Sequence, residues 1–141
     1  MRTPDVNVLL HAVNADSPQH GVARGWIEAS FAHAQGIGFA WPALLGFLRL
    51  ATRRGIFVKP LAIDDALGVV DAWLQHPAAK VIVPTERHAA LLASLLLGAQ
   101  RGGNLVSDAH LAALAIEHRA ELGTFDRDFE NFPGLRLALL K

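Results

Sequence analysis

Asn104-Leu-Val-Ser-Asp108-Ala-His-Leu-Ala-Ala-Leu-Ala-Ile-Glu-His118 and, after a gap of three residues, Leu122-Gly-Thr-Phe-Asp126-Arg-Asp128-Phe129 decide the fold of this chain. The two stretches read as a helix opened by a carboxylate, a short strand, and a turn with two more carboxylates. Ser107 suits an N-cap, and Asp108 falls in the first helical turn, where negative charge complements the helix dipole. Leu111, Leu114 and Ala115 follow at helical spacing and predict a buried stripe. Glu121 to Phe125 is short and mostly apolar, as an inner strand is, and Asp126 falls where it ends. Helix starts and strand ends meet on one edge of a parallel sheet, the edge where α/β folds place their ligands. Asp5, after a brief N-terminal strand, sends another carboxylate to that edge.

Composition narrows the class. The 141 residues are 52% hydrophobic and 18% charged, which predicts one globular domain over 1–141 with a substantial core. Absence of cysteine excludes a disulfide scaffold, a thiol nucleophile and a zinc-thiolate centre. The N-terminus lacks an apolar signal core, and the longest apolar run, Ala89 to Ala99, is too short to span a bilayer. These features predict a cytoplasmic protein with no membrane partner. Lys and Arg number 13, as do Asp and Glu. That balance argues against a broad non-specific nucleic-acid footprint. It is compatible with a nuclease whose acidic pocket holds cations inside a basic rim. Arg49, Arg53, Arg54, Lys59 and Arg101 are rim candidates, though each alone reads as a solvated surface charge.

Along the chain, Pro4 cannot donate to a ladder, so the first strand ends near Asp5 and a helix follows from Val6. Asp16 or Ser17 predicts a cap for a second helix with Pro18 in its first turn and Val22, Trp26 and Ile27 on its apolar face. Gly36 to Ala40 reads as a strand. Trp41-Pro42 opens a helix closing near Arg54-Gly55, and Asp64 or Asp65 begins another that ends before Pro77. Lys80-Val-Ile-Val-Pro84 has the strongest strand pattern. Thr85 predicts a cap for the next helix, with Leu91, Leu92, Leu95 and Leu96 on its face, and Arg101-Gly-Gly103 a flexible connection. A turn at 131–134 and a strand over 135–140 complete the chain. Alternating strands and helices predict an α/β fold with a mostly parallel sheet covered on both faces.

Carboxylates gathered on one edge repel each other, and some protonate unless a cation sits among them. Hard oxygen ligands suit Mg2+ or Mn2+, which activate water and stabilise a leaving oxygen in phosphodiester hydrolysis. Any one of these aspartates alone reads as a helix cap or turn residue. The joint placement of Asp5, Asp108 and Asp126 points to a site.

Asp5-Val-Asn7-Val-Leu-Leu, Trp41-Pro-Ala-Leu-Leu-Gly-Phe-Leu-Arg49, Ser107-Asp-Ala-His-Leu-Ala-Ala-Leu-Ala115 and Thr124-Phe-Asp-Arg-Asp-Phe129 together resemble a PIN domain of the VapC toxin family, in order over nearly the whole chain. The resemblance implies a three-layer α/β/α sandwich and magnesium-dependent cleavage of RNA. It also implies blockade by a co-encoded VapB-like antitoxin, and a homodimer. It makes Asp5 and Asp108 the principal metal ligands, with Asp126 or Asp128 holding a second metal or positioning water and Asn7 supporting the first ligand. Ser107 supports Asp108; Arg49 and Trp41 are weaker candidates for substrate contact. The chain departs from the family at one point. Gly46 takes the place of a common glutamate, which implies fewer carboxylates around the metal, or room for substrate or another side chain. A binding module with weakened catalysis is therefore the alternative reading. A phospho-receiver domain also gathers aspartates around magnesium, but Lys59, Lys80 and Lys141 do not fall where its lysine is needed.

His11, His20, His33, His76, His88 and His118 show no zinc-ligand spacing and read as surface or helix-packing residues. His110 reads as a partly buried polar residue. Trp26 and Trp73 fit apolar helix faces, whereas Trp41, at a strand end, is free to stack on a base.

Overall fold

The computed structural model describes residues 1–99 and 105–141. Five strands form one all-parallel sheet in the order β3-β2-β1-β4-β5, made of β1 (Arg2–Pro4), β2 (Ile37–Phe39), β3 (Ala79–Val81), β4 (Glu121–Thr124) and β5 (Arg136–Leu139). Six α-helices connect them: α1 (Val6–Val13), α2 (His20–Phe31), α3 (Trp41–Ala51), α4 (Ile63–Gln75), α5 (His88–Ala99) and α6 (Leu105–Glu117). The strand order reverses direction at β1, so the connections leaving β1 and β4 part on opposite sides of a crevice at their C-terminal ends.

Two apolar cores lie on the two faces. One joins Val8, Leu9 and Leu10 of α1 to Ile27, Phe39, Leu44, Phe47 and Val70, so α1 to α4 cover one face. Trp73 stacks on Phe39 and meets Phe47 edge-on, as its apolar helix position predicts. The other core joins Leu95 of α5 to Leu111, Leu114, Leu122, Phe129 and Phe132. α6 is buried from Leu111 through Ala115, more completely than a single stripe. Alanine at four of its buried positions lets the helix sit close on the sheet, which fixes Asp108 at its first turn.

Several local expectations change. α6 begins at Leu105, so Ser107 lies inside the first turn rather than capping it. Asn104, Arg101 and the Arg101–Gly103 connection lie outside the described residues. The segment with the strongest strand pattern forms only a three-residue edge strand, because Pro84 halts pairing soon after Ile82 donates to the Phe39 carbonyl at 2.9 Å. β-branched residues there report an apolar edge, not a central position. α2 starts at His20, which leaves Pro18 in the preceding turn, where the Ser17 hydroxyl accepts from the Gln19 N–H at 3.1 Å. Thr85 likewise shapes a turn ahead of α5, its hydroxyl accepting from the Arg87 N–H at 3.2 Å.

Candidate active site

Asp5 ends β1 and caps α1. Its backbone N–H donates to the Gly123 carbonyl of β4 at 2.9 Å, so the sheet ladder itself sets its position. One carboxylate oxygen accepts from the Val6 N–H at 2.7 Å; the other accepts from the Thr124 hydroxyl at 2.8 Å and from Asn7 Nδ2 at 3.2 Å. Asp5 is 8% exposed, one of four buried polar residues among those described. Burial pushes its pKa up. The hydrogen bonds from Thr124, Val6 and Asn7 pull it down, the charge of Asp126 adds to the rise, and the net direction is upward.

Asn7 and Thr124 join Asp5 to the later acidic turn. Asn7 Oδ1 accepts from the Phe125 N–H at 3.2 Å, and the Thr124 hydroxyl accepts from the Asp126 N–H at 3.0 Å. Asp126 in turn caps a 3-10 helix over Arg127–Asn131, accepting from the Asp128 N–H at 2.8 Å. Thr124, fully buried at the end of β4, is thus the hub between two carboxylates. Sequence reading gave it no role. Its signal was a hydroxyl at a strand end, two residues before an aspartate.

Asp108 reaches the same edge from α6 and is half-buried. Its pKa is raised to about 6, first by burial and then by the negative charges of Asp5, Asp126 and Asp128. Four carboxylates from three separate segments therefore share one field. Asp5 and Asp108 line a cleft of about 360 Å³ together with Val6, Ala43, Gly46, Arg49, Ser107 and Leu111. Asp126 and Asp128 are not among the described residues that line this cleft, though their charges reach Asp108. Ser107 is exposed on the rim and makes no hydrogen bond to Asp108 among the described residues, so its supporting role has no contact behind it.

The weaker substrate candidates separate. Arg49 is exposed on the cleft wall, one helical turn from Gly46. Trp41, 44% exposed, stands at the start of α3 and does not line the cleft. Arg53, Arg54 and Lys59 are exposed on the connection after α3. Gly46 lines the same cleft as Asp5 and Asp108, and a Cβ there would come within 2.9 Å of Val6 Cγ2. Close approach of α3 to α1 thus goes with the absence of a side chain at this position.

The histidines form a network that spacing did not reveal. His88 Nδ1 lies 2.5 Å from Glu117 Oε2, and His88 Nε2 lies 2.9 Å from His110 Nδ1. Glu117 also accepts from the Thr85 N–H at 2.9 Å. These bonds dock the start of α5 on α6, and His110 is partly buried as expected. No three His, Asp or Glu side chains among the described residues are drawn together tightly enough to cage a metal ion unaided. The donor set nonetheless fits a hard divalent cation. It consists of carboxylate oxygens, and their mutual repulsion is what a cation at the cleft would relieve.

Known proteins share this architecture. The PIN domain family model matches residues 3–135. Ribonuclease VapC37 of Mycobacterium tuberculosis is 47% identical over 136 residues, spanning 96% of this chain and 94% of that protein. The chain belongs to the VapC family of PIN-domain proteins. Ribonuclease VapC33 of the same species is 37% identical over 136 residues, spanning 96% and 95%. Among solved structures, VapBC2 from Rickettsia felis bound to a promoter DNA fragment superposes with a TM-score of 0.73 at 17% identity, covering 99% of this chain and 98% of that one. VapC20 of Mycobacterium tuberculosis, described as a Sarcin-Ricin loop cleaving toxin, gives 0.68 at 20% identity, covering 96% and 99%. The all-parallel sheet between two helical layers is therefore the VapC arrangement of the PIN fold.

Proposed function

We propose that this VapC chain is a metal-dependent endoribonuclease, working as one PIN domain over 1–141 in the cytoplasm. The observation that carries the proposal is the convergence of Asp5 and Asp108 on one cleft, with Asp126 and Asp128 in the same electrostatic field. Asp5 and Asp108 would hold Mg2+ or Mn2+. Such an ion, when bound, supplies positive charge to the scissile phosphate and lowers the pKa of a bound water. Asp5 is held in place by three donors, so it enters the reaction already oriented. Asp108, with its pKa near 6, is ionised at neutral pH. Asp126 and Asp128, whose charges reach Asp108, orient water or a weaker second ion. Arg49, which lines the same cleft, offers a guanidinium to a substrate phosphate. Ser107 lies at the entrance.

The binding-module alternative rests on Gly46 alone, and its relatives bear the name ribonuclease. Gly46 instead leaves the cleft open and its second ion loosely held. A VapB-like antitoxin that places an arginine between Asp5 and Asp108 would replace the cation's charge and silence the site. A homodimer is the proposed assembly. No helix among the described residues is long and apolar enough to cross a membrane.

Titrating manganese into the wild type and into Asp5→Asn and Asp108→Asn variants tests the metal assignment. Each substitution should weaken the first binding event about tenfold or more, and RNA cleavage should keep rising with metal beyond that event. Wild-type affinity in both variants would remove these residues from the site.

A further inference from the structure

The sheet edge opposite the carboxylates carries positive charge that the cleft does not use. Arg2, Glu121 and Arg136 sit side by side in register at the starts of β1, β4 and β5. Arg2 pairs with Glu121 at 3.4 Å. The Met1 ammonium nearby has its pKa lowered by burial and by the charges of Arg136, Arg2 and Lys80, with Glu121 opposing them. Arg119 adjoins this group just past the end of α6. Neither Arg119 nor Arg136 has a carboxylate partner among the salt bridges of the described residues.

Arg119 is conformationally unusual. Its φ is 54°, the one positive value at a non-glycine residue among those described. The Ala120 N–H reaches back to the Ala115 carbonyl at 2.8 Å, closing the helix with a left-handed residue. Glycine is the usual occupant of that position, and an L side chain there costs about 1 kcal/mol. Arg136 Nη1 donates to the Arg119 carbonyl at 3.3 Å, which ties the two arginines together. They line a hollow of about 260 Å³ whose other lining residues, Ala115, Ile116, Ala120 and Gly134, carry no charge. Two arginines that share a hollow with apolar residues suit a phosphodiester whose sugar or base rests against those residues. The backbone strain is then explained by the side chain it keeps in place.

We propose that Arg119 and Arg136 form a phosphate subsite for the RNA backbone, outside the cleavage cleft and on the opposite edge of the sheet. The inference rests on the ribonuclease reading and extends it: substrates must be long enough to reach round the sheet. It also answers how a chain of zero net charge with an acidic cleft holds a polyanion.

The test uses Asp108→Asn protein, which should bind RNA without cutting it, in magnesium buffer, with and without Arg119→Gly or Arg136→Gln. Binding of a long structured RNA is followed by fluorescence anisotropy over a salt series. Each arginine substitution should weaken binding about fivefold, and the slope of log affinity against log salt should become shallower by about 0.7 per lost contact. An oligonucleotide just long enough to fill the cleft should bind all variants equally. Arg119→Gly should also raise the Tm by relieving the left-handed strain, which separates lost contact from lost structure. Unchanged affinity for the long RNA in both variants, or an equal loss on the short oligonucleotide, would overturn the subsite. Inorganic phosphate binding that the arginines govern, without any effect on RNA, would assign the hollow to a free anion and also overturn it. No RNA binding by either the wild type or the Asp108→Asn protein would instead defeat the ribonuclease reading beneath.

Discussion

Asp108→Asn is expected to lower the rate of RNA cleavage by about a hundredfold or more while making the metal-free protein more stable. The loss of rate follows from the proposed role of Asp108 as a metal-holding carboxylate, one of the two that line the cleft. The gain in stability follows from the pKa of Asp108, which stands near 6 in the folded chain against an ordinary value of 3.8. Folding therefore favours the protonated form. That contribution is complete below the unfolded value and disappears as pH rises through about 6. Above this pH the metal-free wild type carries an ionised carboxylate among Asp5, Asp126 and Asp128, and asparagine removes the repulsion. Because Asp108 is partly solvated, the gain is on the order of 1 kcal/mol at pH 7.5 and shrinks towards zero near pH 4. Urea denaturation at the two pH values, beside a cleavage assay, checks both halves. A variant that is less active and also less stable at pH 7.5 would indicate that Asp108 holds the fold rather than the reaction.

Thr124→Val should be the most damaging change outside the carboxylates. Valine keeps the shape of the fully buried side chain but removes the hydroxyl that donates to Asp5 and accepts from the Asp126 N–H and Asn7. Asp5 then retains two donors, and the Asp126 N–H and the Asn7 amide each lose a partner. Losing these bonds, with the Asp126 N–H left without its side-chain acceptor, costs about 2–4 kcal/mol in all. The Asp5 pKa should rise further, because a hydrogen bond that favours its ionised form is gone. Cleavage should fall about tenfold with metal affinity, and Thr124→Ser, which restores the hydroxyl, should recover both. Stability within 0.5 kcal/mol of wild type in the valine variant, on the order of an ordinary surface substitution, would show that the hydroxyl does not organise the site.

The sequence was most informative where chemistry and local structure use the same residues. Asp5 follows a proline that ends a strand, and Asp108 opens a helix whose alanines and leucines bury it against the sheet. Both constraints are local, so the carboxylate edge and the alternating α/β order are legible in the sequence itself. Strand rank was not. Lys80 to Pro84 has the best β-forming pattern yet sits at the sheet edge, because order across a sheet depends on crossovers that local propensity does not encode. Helix starts shifted at Ser107, Ser17 and Thr85 because short polar side chains serve turns as readily as caps. Residues far apart in sequence were harder still. The link from Thr124 to Asp5 spans 119 positions, and the one from His88 to His110 spans 22. Arg119 betrays itself only through a backbone angle, which no side-chain pattern announces.

The chemistry of the cut ends tests the central claim most directly. Among the described residues no histidine lines the cleft to deprotonate a ribose 2′-hydroxyl or protonate the leaving oxygen; His88 and His110 are engaged with each other, and His88 with Glu117. Attack by water forms a new bond from the water oxygen to phosphorus and breaks the bond from phosphorus to the 3′ oxygen, which leaves with a proton. End-group analysis of a cleaved oligonucleotide should therefore find a 5′-phosphate on one fragment and a 3′-hydroxyl on the other. Cutting should stop with EDTA and return with magnesium or manganese. Fragments ending in a 2′,3′-cyclic phosphate, produced in the presence of EDTA, would contradict the account.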